Sequence, residues 1–167
     1  MHRYLIAGLA AGALLATTAH AEPGTGNDLT VKLEALRVIV QADGRESITA
    51  AGRAQPGELL EYRAHYHNTG RSSARQVVAT LPLPAGSTVF IPGSASPGAV
   101  EASTDGRHYE ALPLKRWVVL PDGRRELRPV PAAEYRSLRW QLGELSPRQA
   151  VSVQARVRVV DGEGGQK

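Results

Sequence analysis

Residues 58–67 read ELLEYRAHYH, and this stretch decides the fold class. From Leu60 onward, apolar or aromatic side chains alternate with charged or polar ones. An alternation of period two is the pattern of a β-strand that has one buried and one solvated face. The predicted core face consists of the even-numbered residues Leu60, Tyr62, Ala64 and Tyr66. The predicted solvent face consists of the odd-numbered residues Glu61, Arg63, His65 and His67.

The same alternation recurs on both sides of this strand. It is clearest at 150–160, where valine or alanine fills every second position. The chain contains 17 glycines and 11 prolines, and clusters of these residues separate the alternating segments as turns do. Outside the N-terminus, the only helical segment predicted is a single turn at 131–134. Further strands are predicted at 31–40, 76–81, 87–91, 100–104, 107–111, 116–120, 124–130 and 137–142.

This pattern of short strands and turns predicts an all-β fold in which two antiparallel sheets pack face to face as a sandwich. Helices that could cover a parallel sheet are not predicted. The apolar positions of four strands supply the predicted core. Its members are Leu60, Tyr62, Tyr66, Val77, Trp140, Leu142, Val153 and Val157.

The N-terminal residues have the pattern of a secretory signal. His2 and Arg3 precede an apolar run at 5–16, and Ala19-His20-Ala21 offers a small-x-small cleavage site. The run is shorter than the roughly 20 residues that a bilayer-spanning helix needs. We therefore predict export to the periplasm or the extracellular space, with no integral membrane segment after cleavage; an uncleaved signal that acts as an anchor is the alternative. The predicted organisation is a signal-peptide helix at 1–21, a flexible lead-in at 22–28, the sandwich at 29–160 and a flexible tail at 161–167.

The 167-residue chain contains no cysteine. This excludes disulfides, thiolate metal sites, iron–sulfur clusters and a cysteine nucleophile. Exported domains often depend on disulfides, so this one must fold by packing alone. A domain of this length buries enough surface to do so.

The basic side chains concentrate in one segment. The whole chain has a formal net charge of +4, and residues 107–139 alone carry eight basic and four acidic residues. Export makes a nucleic-acid partner unexpected, so an anionic polysaccharide or a lipid headgroup is the candidate ligand, and a solvated arginine-rich face is the alternative. Trp117 is the aromatic residue that could stack on a sugar ring. The predicted ligand residues are Trp117, Arg116, Arg124, Arg125 and Arg128.

His65 and His67 form a second candidate site, because residues two apart on a strand project from the same face. Imidazoles placed in this way can share a metal ion, but a third ligand is needed. Glu61 or His108 could supply it. The alternative is that both histidines belong to the solvated face of a half-buried strand.

A catalytic constellation is not recognisable in the sequence. The G-x-S-x-G and H-E-x-x-H motifs, phosphate-binding glycine loops and EF-hand loops are absent. Ser94 and Ser96 lie in a glycine- and proline-rich loop, and no motif links a histidine to them. We therefore predict a protein that is not an enzyme and needs no cofactor.

Three segments resemble the bacterial surface repeat called domain of unknown function 11, an immunoglobulin-like module. They are PGELLEYRAHYHNTG at 56–70, VVATLPLPAGSTVF at 77–90 and WQLGELSPRQAVSV at 140–153. The resemblance implies an immunoglobulin-like sandwich in a secreted or envelope protein, and it implies no catalytic residues. Glu58 and Thr80 stand where the family has aspartate, and Arg148 replaces a glycine.

The predicted function is therefore a structural or adhesive module that binds an envelope or surface protein. An exposed edge strand is the first mechanism to expect, because it can pair with an extended peptide or a second copy. Binding of an anionic glycan through residues 107–139 and Trp117 is the alternative. A weak metal site at His65 and His67 is the second alternative.

Overall fold

The computed structural model describes residues 29–161. The predicted signal peptide, the lead-in at 22–28 and most of the predicted tail lie outside these residues. Eleven strands and one 3-10 turn, η1 (Ala132–Glu134), follow each other along the described chain. The strands are β1 (Leu29–Val40), β2 (Glu46–Ala50), β3 (Leu59–Asn68), β4 (Ala74–Pro82), β5 (Thr88–Phe90), β6 (Glu101–Ser103), β7 (Glu110–Ala111), β8 (Lys115–Val119), β9 (Arg125–Pro129), β10 (Ser137–Leu145) and β11 (Ala150–Val159).

The strands form three antiparallel sheets. The first has the order β2-β1-β3-β11-β5, the second has the order β4-β10-β6-β7, and the third is the β8–β9 hairpin. Every strand pair in the described chain is antiparallel. The predicted all-β, antiparallel fold class is therefore confirmed.

The strand that decided the fold class lies at the centre of the five-stranded sheet. β3 pairs with β1 on one side and with β11 on the other, so that Tyr66 stands opposite both Val31 and Val151. The hydroxyl of Tyr66 accepts the backbone N–H of Thr80 on β4 at 3.1 Å. This bond joins the two larger sheets across the core.

The core is one cluster drawn from both larger sheets. Trp140, at 2% exposure, is its largest fully buried side chain, and it packs with residues of the facing sheet such as Val153. Tyr62 and Leu142 are partly buried and pack against the cluster. All eight residues predicted for the core thus lie in the cluster or against it. Those inside it are Leu60, Tyr66, Val77, Trp140, Val153 and Val157.

Asn68 fastens the end of β3 to the turn that joins β10 and β11. Its fully buried side chain donates from Nδ2 to the carbonyls of Ser72 (2.8 Å) and Leu145 (2.9 Å), and its Oδ1 accepts the N–H of Gly70 (3.0 Å). Its backbone carbonyl accepts the N–H of Arg148 at 2.8 Å. One side-chain amide thereby satisfies buried backbone groups in two different turns.

Glu61 lies on the outer face of β3, as the alternation predicts, but it is not solvated there. Its exposure is only 1%. The guanidinium groups of Arg63 and Arg156 cover its carboxylate, with Arg156 Nε at 3.2 Å from Oε2. Arg156 also forms a paired contact with Glu46 at 2.8 and 2.7 Å. Cross-strand ion pairing therefore buries a carboxylate on the solvent side of the sheet.

The predicted strands at 100–104 and 107–111 are shorter in the structure, and their two-residue turn is replaced by a longer loop. Asp105 is the reason, because its Oδ1 accepts the N–H groups of Arg107 (2.7 Å) and His108 (2.8 Å). Its other oxygen lies 2.6 Å from Nδ1 of His108. An aspartate that folds the following backbone around itself ends strand pairing early.

Candidate functional site

The β8–β9 hairpin extends from the body of the molecule and pairs, within residues 29–161, with no other strand. Its tip closes where the sequence predicts it, with Gly123 N–H bonded to the carbonyl of Leu120 at 2.9 Å. Gly123 has a φ of +80°, a left-handed conformation that glycine adopts without strain. A two-stranded ribbon has no second sheet to cover either face.

One face of the hairpin is apolar and exposed. Trp117 stands opposite Leu127, with Val119 further toward the tip. Their exposures are 59% for Trp117, 68% for Val119 and 45% for Leu127. We call this surface the Trp117 face. Its residues, which alternate along the two strands, are Lys115, Trp117, Val119, Arg125, Leu127 and Pro129.

The charges on the Trp117 face are both positive. The guanidinium carbon of Arg125 lies 5.4 Å from the centre of the Trp117 ring, in a cation–π arrangement. Lys115 stands opposite Pro129 at the base of the hairpin. In the part of the chain that the structure describes, neither Lys115 nor Arg125 forms an ion pair with a carboxylate.

The other three predicted ligand arginines are already paired. Arg116 binds both oxygens of Glu134, and this pairing raises the pKa of Arg116 above its usual value. Arg128 lies 2.9 Å from a carboxylate oxygen of Glu126. At the tip, the backbone N–H and then the guanidinium of Arg124 lower the pKa of Asp122. The structure therefore places the five predicted residues on one hairpin but not on one face: Trp117 and Arg125 lie on the Trp117 face, and Arg116 and Arg128 lie on the opposite face. Of the four predicted arginines, only Arg125 is without an acidic partner within the described residues.

An apolar cleft of about 410 Å³ lies where the hairpin joins the body. Buried Phe90 and Tyr135 stack there with ring centres 5.9 Å apart. Pro129 belongs both to the cleft and to the Trp117 face, so the two surfaces are continuous. The residues that line the cleft are Phe90, Pro92, Gly93, Leu112, Pro113, Pro129, Val130, Ala132 and Tyr135.

Sequence reasoning singled out Trp117 and Arg125 of the Trp117 face but missed its other apolar residues and the cleft. The lining comes from three separated stretches of chain, 90–93, 112–113 and 129–135, and only the fold brings them together. The prolines near 92, 113 and 129 are visible in the sequence, but there they indicate turns.

A smaller depression of about 210 Å³ lies near the β6–β7 loop. His108 and Glu110 line it together with Lys115 and Arg116. The hydrogen bond to Asp105 raises the pKa of His108, and the same bond lowers the pKa of Asp105. His108 therefore already forms an ion pair with Asp105.

The histidine pair does not gain a third ligand. His65 Nε2 lies 3.1 Å from Glu34 Oε2, and His65 Nδ1 lies 2.7 Å from Ser152 Oγ. Both candidates for the third position are engaged elsewhere: arginines hold Glu61, and Asp105 holds His108. Among residues 29–161, no group of three or more histidine, aspartate or glutamate residues is placed to hold a metal ion.

Ser94 and Ser96 hold the loop after β5 against β11. Ser94 Oγ donates to the carbonyl of Ile91 (2.6 Å) and accepts the N–H of Arg156 (2.9 Å). Ser96 exchanges two backbone hydrogen bonds with Gln154, at 2.9 and 2.8 Å. The structure thus gives these serines a structural role.

Comparison of the chain with protein-family models, with curated proteins and with solved structures finds no match. The resemblance to domain of unknown function 11 therefore stays a prediction. Within the described residues, no helix has the length and apolar character that crossing a membrane requires.

Proposed function

We propose that this protein is an exported, non-catalytic adhesive module of the cell envelope that binds another protein through the Trp117 face. One observation carries the proposal: a projecting hairpin presents Trp117, Val119 and Leu127 to solvent beside a preformed apolar cleft. A contiguous exposed apolar surface of this kind is typical of protein interaction sites. Trp and Arg, which meet here as Trp117 and Arg125, are the residue types that contribute most at protein interfaces.

The proposed architecture is an immunoglobulin-like sandwich. Its support is a five-stranded and a four-stranded antiparallel sheet that share one buried cluster, together with the sequence resemblance described above. The hairpin would then be an insertion that a sandwich tolerates because it leaves the core unchanged. In this arrangement the sandwich is the scaffold and the hairpin is the binding element.

A protein partner suits the site better than an anionic glycan. Glycan recognition needs side-chain donors and acceptors, yet the cleft is lined mainly by aliphatic, aromatic and proline residues. Three of the hairpin arginines that would bind anionic groups already pair with Glu134, Asp122 and Glu126. The remaining surface matches the apolar and aromatic character of protein interfaces.

Site-specific photo-cross-linking in the native host tests this proposal. A benzophenone amino acid replaces Val119 in one strain and Val78 in a control strain. Val78 is an exposed valine on β4, in a different sheet from the hairpin, with an exposure of 43% against 68% for Val119. We expect a discrete protein adduct at position 119 that is absent at position 78 and is lost when Trp117→Ala is added.

Equal labelling at positions 78 and 119, or no protein adduct at 119, would contradict the proposal. The glycan alternative is tested separately with purified anionic polysaccharide and the combined variant Trp117→Ala/Arg124→Ala. Salt-sensitive binding that this variant loses would favour the glycan instead.

A further inference from the structure

The cleft at the base of the hairpin is preformed, and its mainly apolar lining favours an apolar occupant. Prolines at 92, 113 and 129 form much of its wall, and the proline ring fixes the backbone around each of them. The only hydroxyl in the lining belongs to Tyr135, and it accepts the N–H of Leu114 at 3.3 Å. A volume of about 410 Å³ has room for a large apolar side chain and is at the small end for a drug-sized ligand.

The strip that leads away from the cleft carries positive charge at both ends. Lys115 lies at the base beside Pro129, and Arg125 lies opposite Val119 near the tip. Trp117 and Leu127 fill the space between them. A strand rises about 3.3 Å per residue, so the two cations are separated by roughly 13 Å along the ribbon. An extended segment of about five residues covers that length.

A second copy of this chain fits the strip poorly. Two Trp117 faces placed together would bring Lys115 and Arg125 of each copy into contact with like charges, and no acid on this face would compensate them. An acidic segment of another protein removes this conflict. The hairpin also has two strand edges outside the larger sheets, so a segment in the extended conformation can pair with its backbone.

We propose that the Trp117 face and the cleft together bind an acidic, extended segment of the partner protein, with one large apolar side chain of that segment inserted in the cleft. This inference rests on the proposed function and specifies its partner. The acidic groups meet Lys115 and Arg125, and the apolar anchor contacts Phe90 and Tyr135.

Selection from a displayed random peptide library tests the proposal on the purified exported protein. We expect the selected peptides to contain several acidic residues and one large apolar residue. Their binding should weaken at least about tenfold in the variant Lys115→Glu/Arg125→Glu and should decline as salt rises. Arg53→Glu/Arg71→Glu is the matched control, because it changes the net charge equally at two exposed arginines outside the hairpin.

The anchor is tested with Ala132→Leu, which adds a side chain to the cleft lining. This variant should no longer bind the selected peptides, while its melting temperature and tryptophan fluorescence stay as in the parent. If the peptide with its apolar residue changed to alanine still binds equally well, the anchor is wrong. If Ala132→Leu unfolds the protein, this peptide comparison still decides the point.

The results separate this inference from the proposed function. Selected peptides that are neutral or basic, or that bind the charge-reversed variant unchanged, overturn the acidic segment but leave a protein partner at the hairpin. A cross-link at position 119 to a protein whose contact region lacks acidic residues would likewise overturn the acidic segment and leave a protein partner. A protein that enriches no peptide and yields no cross-link, but binds anionic vesicles or polysaccharide through Trp117, overturns both proposals.

Discussion

Arg116 on β8 and Glu134 in the 3-10 turn form a bidentate ion pair, with nitrogen–oxygen distances of 2.5 and 2.8 Å. This pair links the base of the hairpin to the segment that leads back to β10. The N–H of Val130 bonds to the carbonyl of Leu114 at 2.9 Å and closes the hairpin at the same level. The position of the Trp117 face therefore depends on a contact outside the hairpin itself.

Glu134→Gln should loosen the hairpin without unfolding the protein. Both side chains are more than a third exposed, so solvent screens the pair, and its loss should change the free energy of unfolding by at most about 1 kcal/mol. Trypsin should nevertheless cut after Arg124 or Arg125 several times faster, because local opening becomes easier. Glu144→Gln removes an exposed acid that pairs with Arg75 outside the hairpin, and it serves as the control. Equal cleavage rates in both variants would show that the Glu134 contact does not hold the hairpin.

Asn68→Ala should destabilise the whole fold. The substitution leaves the carbonyls of Ser72 and Leu145 without their donor and opens a gap at a fully buried site. Unsatisfied buried groups cost about 1–3 kcal/mol each, so we expect a loss of about 2–4 kcal/mol. Urea unfolding measures it. A loss below about 0.5 kcal/mol would mean that water replaces the amide without penalty.

Arg148→Gly should stabilise the protein. Arg148 has a φ of +67°, a left-handed conformation that is unfavourable for residues with a Cβ atom. Glycine removes this strain but gains freedom in the unfolded chain, so we expect a net gain of about 0.5–1 kcal/mol. Arg148→Ala removes the same side chain and keeps the Cβ atom. If alanine stabilises as much as glycine, backbone strain is not the cause.

The Asp105–His108 pair should make stability depend on pH. The hydrogen bond to Asp105 raises the pKa of His108 above its ordinary value of 6.5. Its stabilising contribution is therefore complete below pH 6.5 and is lost as pH rises through the folded-state pKa. The pKa of Asp105 is lowered from 3.8, chiefly by His108, so its own contribution is complete above pH 3.8 and declines as pH falls.

Titration of the His108 ring protons by NMR measures this effect directly. We expect a pKa above 6.5 in the parent protein and a return toward 6.5 in Asp105→Asn. The melting temperature should fall between pH 6 and pH 8 in the parent and change less in His108→Gln. A histidine that titrates at or below 6.5 in the parent would contradict the assigned ion pair.

The sequence predicts where most of the strands lie but not which strands pair with each other. Alternation alone locates β3 and β11, and the Pro121-Asp122-Gly123 turn locates the hairpin, because both signals are local. The burial of Glu61, in contrast, depends on a residue that is distant in the sequence. Its partner Arg156 lies 95 residues away and becomes a neighbour only through the pairing of β3 with β11.

The same distinction between local and distant signals holds for the residues of the candidate site. Trp117 lies in a charged hairpin, so the sequence predicts it as a candidate contact residue, and its side chain is 59% exposed. The cleft beside it requires Phe90 and Tyr135 to meet, and these residues lie on β5 and after η1. The β2 strand was missed because its five residues, ESITA, show little alternation and follow a turn.

The hydrogen bond from Thr80 to Tyr66 also limits how copies of this molecule can assemble. β4 has nine residues and is the longest edge strand in the described chain. Tyr66 already accepts one of its N–H groups, and Pro82 at its end has none to donate. A polymer that grew by adding a strand of the next subunit to β4 would have to break this bond at every junction. Strand addition at β4 therefore carries a cost that comes from the packing of the core rather than from the edge strand alone.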